Sequence, residues 1–111
     1  MICDLEPYHI LEHQGFKIGF VGMAEEAWLD QLMPEIDCSK LKYLDYNVEL
    51  KKYSQILKEQ GCDLIISLNH MRSPDDRNMA EMNDTSVVDM LFGGHDHCYL
   101  HEMNPNTGVY I

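Results

Sequence analysis

The chain has 111 residues, of which 45% are hydrophobic and 24% are charged, a balance typical of a folded globular domain and not of a disordered segment. Nineteen acidic residues against eight Lys and Arg give a formal net charge of −11, which disfavours nucleic acid polymers and membrane surfaces as partners because both reward clustered positive charge. The sequence shows neither an apolar stretch of the roughly 18–20 residues that a membrane-spanning helix needs nor a basic and apolar leader.

The N-terminal part of the chain predicts a β-hairpin. Two segments of alternating apolar and polar residues, 8–13 and 16–22, flank the dipeptide Gln14-Gly15, and such a pattern around a glycine turn is typical of two antiparallel strands. His9 and His13 lie in the first of these strands, on one face but roughly 13 Å apart. They are therefore too far from each other to share a metal ion.

Two helices are predicted after the hairpin. Residues 24–32 favour a short helix that ends before Pro34, because proline disrupts helix continuation. Trp28 lies in it, and we interpret this residue as part of the core or of a lid, with substrate stacking left open. Apolar residues at helical spacing between 46 and 57, followed by Gly61, predict a second and longer helix. Either Asp45 or Asn47 could cap its beginning.

The remaining sequence alternates between strands and one helix. Apolar runs at 63–68 and 87–92 predict strands, and a short helix is expected between them at 75–82. Segments 99–103 and 109–111 also resemble strands, joined by a turn that contains Pro105 and Gly108. Strands separated by helices predict mainly parallel pairing in an α/β domain.

Histidines follow both central strands of this predicted sheet. The run at 63–68 leads into Asn69-His70, and the run at 87–92 leads into Gly-Gly-His-Asp-His at 93–97. Open α/β sheets place their chemistry beyond the carboxyl ends of strands, and imidazole is the commonest metal ligand in proteins. The pattern therefore predicts a metal site formed by His70, His95 and His97, whereas a surface loop that contains two histidines by chance is the alternative.

Four cysteines, at positions 3, 38, 62 and 98, form no Cys-x-x-Cys pair. Their irregular spacing disfavours a disulfide framework, so we expect reduced thiols and a cytoplasmic location, with a signal peptide upstream of this sequence left open. Cys98 follows a predicted ligand, and a structural zinc site that uses Cys98 or Cys62 is a separate hypothesis. A small residue at the beginning of a strand is the simpler interpretation of Cys98.

Residues 61–76 followed by 89–97 resemble the calcineurin-like metallophosphoesterases, and the likeness is strongest to their 5'-nucleotidase branch. In that branch a strand ends in a Thr-His or similar pair and a later strand ends in Gly-Gly-His-x-His; the segment 8–22 also resembles the hairpin that carries Gly-x-Lys-Ile-Gly. The resemblance implies an α/β fold, namely part of a metallophosphoesterase sandwich with a mixed sheet and flanking helices. Residues 1–111 would then form the C-terminal half of a catalytic domain.

The same resemblance implies roles for single residues. His70 and His95 would bind one divalent metal ion and His97 its neighbour, and zinc, manganese, iron and cobalt all suit imidazole. A water activated by the metals would attack a phosphate ester or nucleotide. Asp76 or Asp96 would orient an imidazole by a hydrogen bond, with a plain surface carboxylate as the alternative. Arg72 would bind the substrate phosphate, with an ion pair as the alternative.

The chain also departs from the family pattern. It lacks the Asp-x-His, Gly-Asp-x-x-Asp and Gly-Asn-His motifs that the family places before the hairpin, and three imidazoles cannot hold two divalent ions tightly without an anionic bridge. We therefore expect an incomplete domain that binds one metal ion or none and is inactive by itself. Because free strand edges and uncovered apolar faces promote pairing, self-association through the exposed face is also expected.

Two functional hypotheses follow from the sequence. In the first, the chain is part of a metal-dependent phosphomonoesterase of the 5'-nucleotidase type, which would make the parent protein a hydrolase. In the second, it is a non-catalytic binding or scaffold module whose histidines form a vestigial or mononuclear metal site. The identity of the metal, the substrate's base and the oligomeric state are not set by these residues.

Overall fold

The computed structural model describes residues 5–31, 41–82 and 87–111, and its regular elements form a mixed α/β arrangement. A four-stranded sheet has the order β1-β2-β3-β4, with β1 antiparallel to β2 and the other two pairs parallel. None of the described helices is long and apolar enough to cross a membrane. The predicted mixed sheet with flanking helices is confirmed. The elements in chain order are β1 (Tyr8–His13), β2 (Phe16–Ala24), α1 (Trp28–Gln31), α2 (Tyr46–Glu59), β3 (Leu64–His70), α3 (Ser73–Glu81) and β4 (Met90–Phe92).

The predicted hairpin is confirmed. Gln14 and Gly15 form its two-residue turn with φ angles of 50° and 86°, and two positive φ angles suit the right-handed twist of the strands they join. Strand β2 extends two residues beyond the predicted end at Gly22. It does so because β2 also pairs with β3 in parallel, as far as the pair Ala24 and His70.

Helix α2 begins and ends close to the predicted positions. The side chain of Asp45 accepts hydrogen bonds from the backbone N–H groups of Asn47 and Val48, both at 3.0 Å, so Asp45 is the capping residue and Asn47 is not. The helix packs on β2 through Leu57, which is fully buried. A Cβ atom at Gly19 would lie 2.8 Å from Leu57 Cδ1, and the glycine therefore permits this close approach of helix and sheet.

The two short helices differ from their predicted bounds. Helix α1 begins only at Trp28 because residues 25–27 form a turn, and the predicted end near Pro34 lies outside the described residues. Helix α3 begins at Ser73, before the predicted position 75, because Pro74 occupies its first turn. Proline is tolerated there, since the first N–H groups of a helix have no partner within the helix. The predicted beginning at position 75 was therefore two residues too late.

The C-terminal part contains less strand than the sequence predicted. Strand β4 spans only three residues, and the predicted strands 99–103 and 109–111 are reduced to isolated bridges from Tyr110 to Met90 and to Met103. The turn between them is present, because Asn104 Oδ1 accepts the backbone N–H groups of residues 106 and 107 at 2.9 and 3.1 Å. Pairing beside this turn does not extend into a regular ladder.

The two faces of the sheet are unlike each other. One face carries the core, in which Val21, Ile65 and Leu91 pack with Leu57 of α2. On the opposite face, Leu11, Leu68 and Phe92 are exposed by 44%, 46% and 53%; the last two are paired neighbours on β3 and β4. The expected self-association stays a prediction, and this apolar face is the surface on which it would occur.

Candidate metal centre

The carboxyl ends of β3 and β4 bring two of the three predicted ligands together. Because β3 and β4 are parallel neighbours, the residues that follow them lie at the same edge of the sheet. The ring centroids of His70 and His95 are 5.3 Å apart, with an angle of 72° between the ring planes. His70 is exposed and His95 is half-buried. The two imidazoles are therefore neighbours that remain accessible to solvent.

The loop that carries His95 and His97 has an unusual backbone. Both histidines have positive φ angles, 84° for His95 and 54° for His97, a region that residues other than glycine rarely adopt. Each such residue costs on the order of 1–3 kcal/mol and persists only where surrounding contacts hold it. Backbone strain of this kind concentrates at functional sites, and here it coincides with two predicted ligands.

Asp96 connects this loop to helix α3 by hydrogen bonds. Its Oδ2 atom accepts hydrogen bonds from the backbone N–H of Ser73 at 2.7 Å and from the Ser73 hydroxyl at 2.6 Å. The residue that precedes the helix, Arg72, makes no capping hydrogen bond with its side chain, so Asp96 supplies the cap from 23 positions away. These Ser73 hydrogen bonds lower the pKa of Asp96. The carboxylate therefore caps α3 and connects the loop to it. That it also orients an imidazole stays a prediction.

Asp76 of α3 packs against the same loop. It is 3% exposed, so the alternative of a surface carboxylate was wrong. Its Oδ1 atom accepts a hydrogen bond from Asn69 Nδ2 at 2.7 Å, and a Cβ atom at Gly93 would lie 2.6 Å from its Oδ2 atom. Burial raises the pKa of Asp76, and the Asn69 hydrogen bond offsets this only in part. Gly93 therefore allows the loop to lie directly against a buried carboxyl group.

Arg72 forms the ion pair that the sequence offered as the alternative to phosphate binding. Its Nη1 atom lies 3.5 Å from Glu25 Oε1, and its backbone N–H donates to Glu25 Oε2 at 3.1 Å. Half of the Arg72 side chain is exposed (52%), whereas that of Glu25 is 7% exposed. Burial raises the pKa of Glu25, but hydrogen bonds from Arg72 and Asp75 and the charge of Arg72 outweigh it, so the pKa lies below its usual value.

Trp28 is a component of the site that the sequence did not identify as such. Its ring lies edge-on to both imidazoles, with centroid distances of 4.7 Å to His70 and 5.8 Å to His95. Its indole N–H donates to the backbone oxygen of His70 at 2.9 Å. No local sequence signal marks this role, because Trp28 precedes His70 by 42 positions and meets it only in the folded chain.

A cavity of about 280 Å³ lies beside the loop. His97, the third predicted ligand, is exposed and lines this cavity together with His95. Cys98, a free and exposed thiol, lines it as well. The full lining consists of Ser73, Asp76, Gly93, Gly94, His95, Asp96, His97, Cys98, Leu100 and Ile111.

The described residues fit a divalent metal ion only in part. Across 5–31, 41–82 and 87–111, no three His, Cys, Asp or Glu side chains converge in a way that could hold a metal ion. Two neutral imidazoles suit zinc or a related transition metal, but a stable site normally has at least three protein ligands. A complete centre therefore requires ligands in addition to His70 and His95.

The chain is similar to several nucleotidases, although no family model matches it. It is 32% identical over 101 residues to a 5'-nucleotidase of Vibrio cholerae, a match that covers 81% of this chain and 18% of the relative. The NAD nucleotidase of Haemophilus influenzae has a similar fold, with a TM-score of 0.70 at 24% identity over 91% of this chain and 20% of that one. A 5'-nucleotidase precursor of Thermus thermophilus also has a TM-score of 0.70, at 19% identity over 91% of this chain and 22% of that one.

The chain thus spans about a fifth of the length of these relatives. It corresponds in sequence to part of a 5'-nucleotidase and in fold to part of a nucleotidase domain. The resemblance to the 5'-nucleotidase branch of the metallophosphoesterases is confirmed, and so is the expectation that the likeness concerns a partial region.

Proposed function

We propose that this chain is part of a metal-dependent phosphomonoesterase of the 5'-nucleotidase type. The observation that carries the proposal is the convergence of His70 and His95 at the carboxyl edge of the sheet, with ring centroids 5.3 Å apart, in a chain related to 5'-nucleotidases. His70 is the last residue of one parallel strand and His95 follows its neighbour, and this end of the strands is where open α/β sheets bind their ligands. A phosphate ester, with a nucleotide as the favoured case, is the proposed substrate class.

In this proposal His70 and His95 bind one divalent ion and His97 binds a neighbouring ion. Zinc, manganese, iron and cobalt all accept imidazole ligands. Such ions, when bound, supply a water of lowered pKa and stabilise negative charge on phosphate oxygens. The remaining ligands come from residues other than His70, His95 and His97, because these three imidazoles alone bring no negative charge.

Arg72 is proposed to contact the substrate phosphate. It follows His70 by two positions, its side chain is half-exposed, and its guanidinium carries more donors than the single 3.5 Å contact with Glu25 uses. The fork of donors matches the oxygens of a phosphate group. The buried Glu25 carboxylate then holds the arginine near the strand end and leaves part of the guanidinium available.

The second candidate function is a non-catalytic binding module with a mononuclear metal site. The observation that favours it is that only two imidazoles converge among the described residues. Both candidates share the ligands His70 and His95, and they differ in whether phosphate esters are hydrolysed. We propose that the chain by itself is inactive or nearly so, because two neutral ligands do not complete a two-metal centre.

The test measures metal binding and hydrolysis by the purified chain. Calorimetric titration with Zn²⁺, Mn²⁺ and Co²⁺ is expected to show binding that His70→Ala and His95→Ala each weaken by at least about 10–100-fold, the loss typical when only an outer-shell partner of a ligand is removed. His9→Ala, on the exposed face of β1, is the matched control and should leave the affinity unchanged.

Equal affinity in the wild type and both site variants would contradict the metal proposal. Hydrolysis of a nucleoside monophosphate is measured in parallel at saturating metal concentration. Turnover that disappears in His95→Ala would show that the isolated chain is catalytic and would overturn the proposed inactivity.

A further inference from the structure

We propose that Trp28 is a positioning residue that holds the imidazoles of His70 and His95 as an ordered pair. The proposal that the two rings are ordered rests on the geometry alone. The expected effect of this order on metal affinity rests on the proposed function. Trp28 is the single tryptophan of the chain, and its ring contacts both imidazoles. Neither contact follows from its place in the sequence.

The two imidazoles need an external constraint because neither is fixed by burial. His70 is exposed at the last position of β3, and His95 lies half-buried in a loop with a positive φ angle. Trp28 presents its ring at 77° to His70 and at 79° to His95. Edge-to-face arrangements of this kind are the favoured geometry of aromatic pairs. One indole therefore restricts the orientation of both rings at once.

Trp28 can act in this way because it is itself held at two points. Its indole N–H donates to the backbone oxygen of His70 at 2.9 Å, and its backbone N–H donates to the oxygen of Glu25 at 3.2 Å. Glu25 in turn binds the backbone N–H and the guanidinium of Arg72. The segment 25–28 is thus connected by hydrogen bonds to His70, the last residue of β3, and to Arg72, two residues beyond it.

A purely structural tryptophan would behave differently. If Trp28 only filled space, its removal would lower stability without a selective effect on two histidines. The positioning proposal predicts instead that His70 and His95 lose order while the other histidines do not. The chain has six histidines, and His9, His13 and His101 serve as internal references outside the site.

The first experiment records histidine side-chain signals by NMR on the metal-free chain. In the wild type, nuclear Overhauser contacts are expected from the indole of Trp28 to the rings of His70 and His95; their absence would overturn the proposal without any variant. In Trp28→Ala the nuclear Overhauser contacts between the rings of His70 and His95 should weaken, which the loss of a neighbouring ring current alone would not cause. The signals of His9, His13 and His101 should not change. Phe16→Ala, which removes an exposed aromatic ring from the hairpin, is the control.

Trp28→Phe keeps an aromatic edge and removes the hydrogen bond to His70, and it provides a test if the alanine variant does not fold. Its His70 signal should shift while His95 changes less. Unchanged signals of both histidines in a folded Trp28 variant would contradict the proposal.

The second experiment titrates Zn²⁺ into the same proteins. Loss of a group that orients metal ligands typically weakens binding by 10–100-fold, so a loss of about 10-fold or more is expected for Trp28→Ala, with a smaller loss for Trp28→Phe. Equal Zn²⁺ affinity in the wild type and Trp28→Ala would overturn the proposal that Trp28 positions a pair of metal ligands. If the wild type binds no Zn²⁺ and the NMR result is as expected, the positioning of the rings stands and the proposed metal function fails.

Discussion

His70 and His95 lie side by side but are held by different kinds of structure. His70 ends a strand whose backbone is paired to its last residue, since Ala24 of β2 lies opposite His70. His95 lies in a loop where two residues have positive φ angles, and that loop is held by contacts with Asp76 and Ser73 of α3. One ligand is placed by a regular ladder and the other by a small set of long-range contacts.

The difference shows where the site is most sensitive to change. The position of a strand end is maintained as long as the sheet folds, because many backbone hydrogen bonds together fix the strand. The loop 93–97 depends on the fit of Gly93 against Asp76 and on the hydrogen bonds that Ser73 donates to Asp96. Substitutions in the loop and its supports should therefore disturb His95 while leaving His70 in place.

The largest effect is expected for Gly93→Ala. The added Cβ atom would lie 2.6 Å from Asp76 Oδ2, and Asp76 is buried and bonded to Asn69, so the loop must move. Overpacking of this kind costs about 1–3 kcal/mol. Urea denaturation should show this loss for Gly93→Ala, and NMR should show displacement of His95 with little change at His70.

Gly22→Ala is the matched control, because a Cβ atom there meets no atom within 4 Å. A stability of Gly93→Ala equal to that of Gly22→Ala, with His95 unmoved, would show that the contact with Asp76 does not set the loop.

A smaller effect is expected for Asp96→Ala. This change removes both hydrogen bonds to Ser73 and uncaps α3, so the stability and the order of His95 should both fall, and Asp96→Asn should restore part of each. Because the folded-state pKa of Asp96 lies below 3.8, its contribution is present above that pH and is lost as the pH falls through the folded-state value.

The stability difference between the wild type and Asp96→Ala should therefore shrink in acid. Denaturation midpoints of the two proteins, measured between neutral pH and about pH 2, test whether the difference follows the protonation of this carboxylate. Asp30→Ala in α1 is the control, and a difference that does not change with pH would contradict the capping role.

The smallest effect is expected for Asp76→Asn, and it is a change in pH dependence. Burial raises the folded-state pKa of Asp76 above 3.8, so the folded state binds the proton more tightly than the unfolded chain. The contribution of Asp76 to the stability of the wild type should consequently fall as the pH rises from 3.8 through the folded-state pKa.

Asparagine keeps an oxygen that can accept the Asn69 hydrogen bond and carries no charge. Asp76→Asn should therefore lack this loss. Relative to the wild type, the variant should be more stable at neutral pH than in acid. Parallel stability curves for the two proteins across this pH range would show that Asp76 does not titrate in the folded state as its burial indicates.

The sequence alone determined the elements whose signals are local. The turn Gln14-Gly15 predicted the hairpin, the apolar spacing followed by Gly61 predicted α2, and two apolar runs predicted the strands that lead to His70 and His95. The prediction that these two histidines meet followed as well, because parallel neighbours carry their ends to one edge. The resemblance to nucleotidases likewise depended on ordered motifs along the chain.

The tertiary structure decided what depends on residues distant in sequence. Pro74 proved to lie within the first turn of α3, and the C-terminal strands shrank to bridges because few residues there find a partner. The contacts of Trp28 with both imidazoles, and of Asp96 with Ser73, join segments that no periodicity relates. Local patterns report backbone preference, whereas the orientation of a side chain is set by whichever neighbours the completed fold brings to it.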